Sequence, residues 1–313
     1  IADIHLGILG SHPAFFTSYD GKLYFAADNS IWSYDGTNLV EEVNTLNGNP
    51  SHRHGLIVFE NKLYFSAWEQ ALYGEEIWSY DGTDLELVED LWPGGNVQGA
   101  QAKDFVIHDG KLFFSATDGD SGIELWSYDG TTISLEYNIP NGGYPYDLTV
   151  YNGDLYFGAE SDAHGVELWK FNGNTATLVQ DFQPGTESSG PDNLTVYSGR
   201  LFYAATDPVA GTELYSYNGT NISLVQNLGS GSWSSYPNDL VVYGDQLIFN
   251  ANDESGIGKE LWSYTSPDVG VNEIGGTLGS SVYPNPTTDN VQIQFNAPSS
   301  QEMAIQVFTA LGT

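Results

Sequence analysis

The chain has 313 residues, with 8 Lys+Arg against 41 Asp+Glu, a formal net charge of −33, no Cys and one Met. That charge excludes a general nucleic-acid or acidic-membrane binder, which needs a positive field. The missing Cys exclude disulfides, thiolate zinc, iron–sulfur clusters and thiol nucleophiles, while 40% hydrophobic and 14% aromatic residues suffice for a packed core.

In chain order, two strings introduce themselves early and then recur. The first is Leu23-Tyr24-Phe25, repeated at Leu63, Leu112, Leu155, Leu201 and Leu247. The second is an apolar residue followed by Trp or Tyr. It occurs at Ile31-Trp32, Ile77-Trp78, Leu125-Trp126, Leu168-Trp169, Leu214-Tyr215 and Leu261-Trp262. The aromatic of this second string recurs every 43 to 48 residues, so the chain holds six copies of one unit. The fourth copy reads most clearly. Asp147–Tyr151, Asp154–Ala159, Glu167–Phe171 and Thr175–Phe182 are predicted strands, with Asn152-Gly153 and Asn172-Gly173 as turns. Asn-Gly and Asp-Gly suit two-residue hairpins because both central residues need positive φ. The same turns stand at Asp20-Gly21, Asp35-Gly36, Asp81-Gly82, Asp109-Gly110, Asp129-Gly130 and Asn218-Gly219. No unit shows a helical period, and no apolar run approaches the roughly 18 residues of a membrane-spanning helix.

Four short antiparallel strands per roughly 45 residues, with aromatic signatures, is the pattern of a β-propeller blade. The sixth unit ends at Trp262-Ser-Tyr264 without a turn or a clear fourth strand. The chain begins with Ile1-Ala-Asp-Ile-His-Leu-Gly7, which matches Val88–Gly94 and Val179–Gly185 at the ends of earlier units. The expectation is an all-β fold: a six-bladed β-propeller over 1–265, closed by the N-terminal strand. Closure would remove the sheet edges. An open solenoid of the same repeats is the alternative, but it would not need its missing strand at the opposite terminus.

Residues 266–281 lose their aromatics and gain Gly270, Gly275, Gly276 and Gly279, which reads as a linker. Then come Tyr283-Pro284-Asn285-Pro286, Asp289-Asn290-Val291 and Ile305–Phe308, leading to Leu311-Gly312. This stretch, 282–313, resembles the C-terminal sorting domain of the type IX secretion system of Bacteroidota. The resemblance implies a partial β-sandwich, with Tyr283, Pro284, Asn285, Pro286, Asp289 and Gly312 carrying the sorting signal. It also implies partners, an outer-membrane shuttle barrel and the translocon, and a destination at the cell surface or in the medium. Family members start with a signal peptide; none precedes Ile1, which fits a mature N-terminus or an excerpt. The Glu-Leu-Trp repeat is also similar to repeats in secreted proteins of the same bacteria, a resemblance that implies no activity.

Three sets of residues are site candidates. Asp118, Asp120 and Glu124 surround a Gly turn and could hold calcium through hard oxygen ligands. Against this, the same acid-Gly-Glu loop recurs in five of six units, which favours Glu bonding a neighbouring loop's backbone. The second set is aligned four residues before the end of each first strand: Phe15, Gly55, Asp104, Asp147, Asn193 and Asp239. In a propeller these line the central channel. Asp104, Asp147, Asp239 and the neighbouring Asp192 could hold an axial cation or form a hydrated acidic funnel. The third set is the aromatic and His side chains of the loops entering those strands: His54, Trp92, Tyr144, Tyr146, Trp233 and Tyr236. They suit recognition of a glycan or a surface protein, or simply pack the loops. A sialidase-like site is rejected, because the chain has only Arg53 and Arg200 where three are needed to grip the substrate carboxylate. The reading is therefore a non-enzymatic recognition or adhesion module with an export tag. A polysaccharide hydrolase or lyase with its site in the acidic funnel is the alternative.

Overall fold

The computed structural model describes residues 4, 10–27, 30–44, 55–69, 73–93, 99–229, 231–253, 258–266 and 282–285. They form six four-stranded antiparallel sheets, with no helix among the described residues. The first sheet is β1 (Ala14–Tyr19), β2 (Lys22–Ala27), β3 (Ser30–Tyr34) and β4 (Leu39–Asn44). The second is β5 (Ile57–Phe59), β6 (Lys62–Glu69), β7 (Gly74–Tyr80) and β8 (Leu85–Glu89). The third is β9 (Lys103–His108), β10 (Lys111–Ala116), β11 (Glu124–Tyr128) and β12 (Ile133–Tyr137). The fourth is β13 (Gly142–Tyr151), β14 (Asp154–Ser161), β15 (Gly165–Phe171) and β16 (Ala176–Leu178). The fifth is β17 (Asp192–Tyr197), β18 (Arg200–Asp207), β19 (Gly211–Tyr217) and β20 (Ile222–Gln226). The sixth is β21 (Asn238–Tyr243), β22 (Gln246–Asn252), β23 (Lys259–Tyr264) and β24 (Val282–Asn285).

The two turns of each sheet use different chemistry. Between the first two strands, Asp20-Gly21 has φ of 45° and 73° and Asn152-Gly153 has 51° and 83°, the double left-handed pair a tight hairpin needs. Between the third and fourth strands of the first five sheets an Asp carboxylate, or the side-chain oxygen of Asn172 or Asn218, closes the turn. Asp35 Oδ1 accepts from the N–H groups of Thr37 and Asn38 at 2.8 and 2.6 Å, and Asp129 Oδ1 from Thr131 and Thr132 at 2.9 Å each. Three of the few lysines reach across their sheet to the outer strand: Lys22 to Glu42, Lys62 to Glu86 and Lys111 to Glu136, at 2.6 to 2.8 Å.

Both faces of a sheet are apolar because each packs on a neighbour. Five buried clusters join the first sheet to the second and so on to the sixth. One ring contact repeats at every junction: Tyr24 with Tyr80, Tyr64 with Tyr128, Phe113 with Phe171, Tyr156 with Tyr217 and Phe202 with Tyr264. Tyr151 and Tyr197, which end their first strands, donate Oη–H to Gly199 and Asp245 carbonyls in the next sheet.

The two ends of the array have uncovered faces. Leu261 of the sixth sheet is 51% exposed, whereas its equivalents Ile31, Ile77, Leu125, Leu168 and Leu214 are buried. Tyr243 is 77% exposed, and its equivalents Tyr19, Phe59, His108, Tyr151 and Tyr197 are buried. The first sheet is open on its opposite face. There Leu23 is 36% exposed while Leu63, Leu112, Leu155, Leu201 and Leu247 are buried.

The sixth sheet also differs from expectation. The fourth strand described there is β24, from the start of the sorting segment. The N-terminal string expected at this edge lies, apart from Ile4, outside the described residues. Of Ile1–Gly7, only Ile1 and Ala2 align with strand residues, Val88 and Glu89 of β8. The edge beside Tyr264, Ser263 and Trp262 is taken by Val282, Tyr283 and Pro284. The first four residues of the sorting segment thus pair with the sixth sheet. Ser266, expected in the linker, is buried, and its N–H donates to Tyr197 Oη at 3.1 Å. Residues 267–281 and 286–313, including Pro286, Asp289 and Gly312, lie outside the described residues.

Candidate functional site

Five of the six first strands break register partway along. Breaks fall between Ala14 and Thr17 in β1, between Asp192 and Thr195 in β17, and between Asn238 and Val241 in β21, with similar breaks in β9 and β13. Inside each break sits one left-handed residue: Phe15, Asp104, Asp147, Asn193 and Asp239 have φ of 53 to 61°. In the second sheet Gly55, just before the unbroken β5, has 68°. These are the six positions aligned from sequence. Asp and Asn tolerate this conformation better than most residues.

The left-handed residues form a belt. Asp104 accepts from the Asp147 backbone N–H, and Asp147 accepts from those of Asn193 and Leu194. Asn193 Oδ1 accepts from the Asp239 N–H at 3.0 Å, and the Asp239 carboxylate accepts from Asn250 Nδ2. The side chains of Asp104, Asp147 and Asn193 therefore each cap the bulge of the following sheet, and Asp239 is held within its own sheet. Burial raises Asp104 and pushes Asp147 up to about 6, with Asp192 adding repulsion to both. Asp192 itself is exposed, and its Oδ1 accepts from the Asn193 N–H at 2.9 Å. Asp104, Asp147 and Asp239 thus lie along the belt, with Asp192 beside its Asn193. Among the described residues no three His, Asp or Glu side chains converge as a metal-holding group.

The loop acids also have backbone partners. Asp118 Oδ1 accepts from Asp120 and Ser121 N–H at 3.0 and 2.8 Å, and Asp120 lies exposed. Glu124 is buried, accepts from Ile139 N–H at 2.8 Å, and is pushed up to about 7 by burial. Its equivalents act as clamps on the crossing to the next sheet. Glu76 holds Leu91 and Ala100 N–H at 3.2 and 3.0 Å. Glu167 holds Gln183 N–H and both donors of Ser189. Glu213 holds Leu228 N–H at 3.3 Å and both donors of Ser235, the Oγ at 2.6 Å.

Three residues before five of the belt positions lies a second left-handed residue: His12, Gln101, Tyr144, Gly190 and Tyr236, with φ of 46 to 55°; the position three before Gly55 lies outside the described residues. The N–H groups of the last four donate to carbonyls at the start of the preceding sheet's third strand. Tyr144 donates to Ile123 at 2.7 Å and Tyr236 to Thr212 at 3.1 Å. The backbone is fixed inward and the side chain is turned out. Tyr144 is 54% and Tyr236 is 55% exposed. They belong to the fourth and sixth sheets, and the equivalent position between them is Gly190.

Of the remaining aromatic candidates, Tyr146 and Trp92 pack over glycines, while Trp233 stays 37% exposed. A Cβ at Gly158 would lie 2.3 Å from Tyr146 Cζ, so that ring covers β14 where only glycine fits. Trp92 lies over Gly119 of the next sheet in the same way, its Nε1 2.1 Å from such a Cβ. Trp233 rests on its own loop at Gly229, and His54 lies outside the described residues. Sequence reasoning missed His12 and Gln101. A fixed offset of three from the belt positions would have found both.

Residues 281–313 match the secretion system C-terminal sorting domain. The chain is a cargo protein of the type IX secretion system, exported across the outer membrane to the cell surface or the medium. No curated protein sequence matches it. Propeller-like chains of known structure share its architecture at low identity. A puromycin-hydrolysing peptidase of Mycobacterium tuberculosis is 10% identical, with a TM-score of 0.56 over 81% of this chain and 45% of that one. The extracellular domain of a hybrid two-component system of B. thetaiotaomicron is 13% identical, with a TM-score of 0.55 over 86% and 34%. Oligopeptidase B from Trypanosoma brucei is 12% identical, with a TM-score of 0.51 over 82% and 39%. The likeness is one of all-β fold alone, and this chain spans less than half the length of each.

Proposed function

We propose that the exported chain is a closed six-bladed propeller that binds an extended ligand, a glycan or a surface peptide, across its fifth blade. The observation that carries this is the pair Tyr144 and Tyr236, both exposed and left-handed, on either side of Gly190. A non-glycine residue held at positive φ costs on the order of 1–3 kcal/mol. An aromatic face turned to solvent at that cost suits a contact made with something else. Binding rather than turnover is proposed, because the belt carboxylates Asp104 and Asp147 are engaged with backbone N–H groups. The tail is the handle for the export partners, the shuttle barrel and translocon.

The test uses Tyr144→Gly and Tyr236→Gly. Glycine adopts positive φ freely, so each variant gains about 1 kcal/mol of stability while retention on glycan and peptide arrays drops at least tenfold. Lower melting temperatures with unchanged retention would mean that the tyrosines merely pack the rim.

Closure is supported by complementary ends: Leu261 and Tyr243 lack cover, and Leu23, whose equivalents Leu63, Leu112, Leu155, Leu201 and Leu247 are buried at the other junctions, is itself uncovered. Ser11 stands four residues before Phe15, where Ser189 and Ser235 stand before Asn193 and Asp239, and Glu260 holds the place of Glu167 and Glu213. In a closed ring Glu260 clamps Ser11. A double-mutant cycle on Ser11→Ala and Glu260→Ala then gives a coupling of about 1–2 kcal/mol. Strict additivity would argue for an open array.

A further inference from the structure

We infer that the propeller holds its own sorting signal in reserve: the outer edge of β23 is a docking site for Val282–Asn285, and export requires that this strand be peeled away. The inference rests on the sorting match and adds to it a regulation of the tail.

The pairing places Val282 opposite Tyr264, Tyr283 opposite Ser263, Pro284 opposite Trp262 and Asn285 opposite Leu261. This is the edge that every other sheet fills with a strand delivered by a short turn. In the sixth sheet no Asp-Gly or Asn-Gly turn follows Tyr264, and the strand arrives from residue 282. A free β edge is a template for any strand that can reach it, and here the strand that reaches it begins the sorting domain.

The fit is poorer than at the built-in strands, which makes it reversible. Four of the other outer strands bulge between the apolar residue and the aromatic, as between Ile77 and Trp78 or Leu125 and Trp126. β24 runs straight through that point. Pro284 has no N–H to offer the ladder, and Leu261, at the end of the pairing, stays exposed. The residue of β8 opposite the equivalent Ile77 is Glu89, to which Ala2 aligns. Seating of the N-terminal string would therefore contend with Asn285 for Leu261. While β24 is docked, the backbone of Tyr283-Pro284-Asn285 is committed to the sheet and cannot also pair with a receptor.

The experiment uses the full chain with Ser263→Cys and Tyr283→Cys, which face each other across the pairing. Each single-cysteine variant should melt as the parent does. Mild oxidation of the double variant should give an intramolecular disulfide in most molecules, read by mass spectrometry of a chymotryptic digest. In a bacterium carrying this secretion system, the double variant should reach the medium or surface at least tenfold less than either single variant and accumulate in the periplasm. Absence of the disulfide would overturn the docking. A disulfide with undiminished export would overturn the reserve role while leaving the sorting reading intact. Deletion of 282–313 tests that reading separately: export that survives the deletion would refute it.

Discussion

Glu213→Ala lowers the unfolding free energy by about 3–5 kcal/mol, the range for removing one partner from a buried, charged hydrogen-bond network. The Glu213 side chain is fully buried, and it is the common acceptor for Leu228 N–H, Ser235 N–H and Ser235 Oγ–H. Those three donors sit on the crossing from the fifth sheet to the sixth, which has no strand ladder of its own to satisfy them. Truncation takes the acceptor from Leu228 N–H, leaves Ser235 N–H and Oγ–H only the Thr212 carbonyl at 3.0 and 3.4 Å, and opens a void beside them. Glu213→Gln keeps one acceptor oxygen and costs about 1 kcal/mol. Glu124→Ala costs less than Glu213→Ala, because Ile139 N–H is the one backbone donor described on Glu124. Urea unfolding followed by tryptophan fluorescence measures all three. A cost below about 1 kcal/mol for Glu213→Ala would mean that water replaces the carboxylate, and the clamp would lose its claim to hold the sheets together.

The clamp also shows what the sequence could and could not disclose. Glu-Leu-Trp is visible as a repeat, and its recurrence favoured a backbone role over a metal site. The donors it meets lie 15 to 24 residues on, in loops that differ between units, so no string names them. The positions singled out by a fixed offset from the strand-ending residue, Phe15, Gly55, Asp104, Asp147, Asn193 and Asp239, share a left-handed backbone that the offset itself did not foretell. The hydrogen-bond order of this belt needed coordinates, because the partners of Asp104, Asp147 and Asn193 lie one repeat away. Trp92 and Tyr146 looked like rim aromatics and proved to be packing. What decides this is a glycine, Gly119 in the next sheet or Gly158 in the next strand, whose missing Cβ makes room for the ring. The sorting tail was legible because an export machine reads a linear signal. Its docking on β23 was not, because a four-residue strand with a proline carries almost no pairing preference of its own.

The same buried acids set a pH dependence with an unusual direction: the protein is most stable in mild acid and loses stability as the pH rises toward 8. Burial pushes Glu76 and Glu124 up to about 7 and Asp147 up to about 6, and raises Glu167, Glu213 and Asp104 as well. In the unfolded chain the same groups release their protons near 4.5 for Glu and 3.8 for Asp. Between those values and the folded ones, the folded chain holds protons that the unfolded chain has lost, so stability falls with rising pH. Moving a carboxyl from 4.5 to about 7 corresponds to on the order of 3 kcal/mol for a single group. Glu76 and Glu124 together therefore give a swing of several kcal/mol between about pH 5 and 8. The acid limb has the opposite origin. Backbone bonding from Asn38 and hydroxyl bonding from Thr131 bring Asp35 and Asp129 down to about 2, so their contribution is present above 3.8 and disappears as the pH falls through 2. Repulsion within a chain of net charge −33 also weakens on acidification and would tilt the curve the same way as the buried acids. Salt separates the two causes. At about 1 M ionic strength the screening length is about 3 Å, which suppresses surface repulsion and leaves the buried carboxylates nearly untouched. A melting-temperature profile from pH 3 to 8 should therefore keep its slope in 1 M salt, and Glu76→Gln should flatten it. A slope that vanishes in salt would assign the effect to the surface charge and leave the buried glutamates ionised at neutral pH.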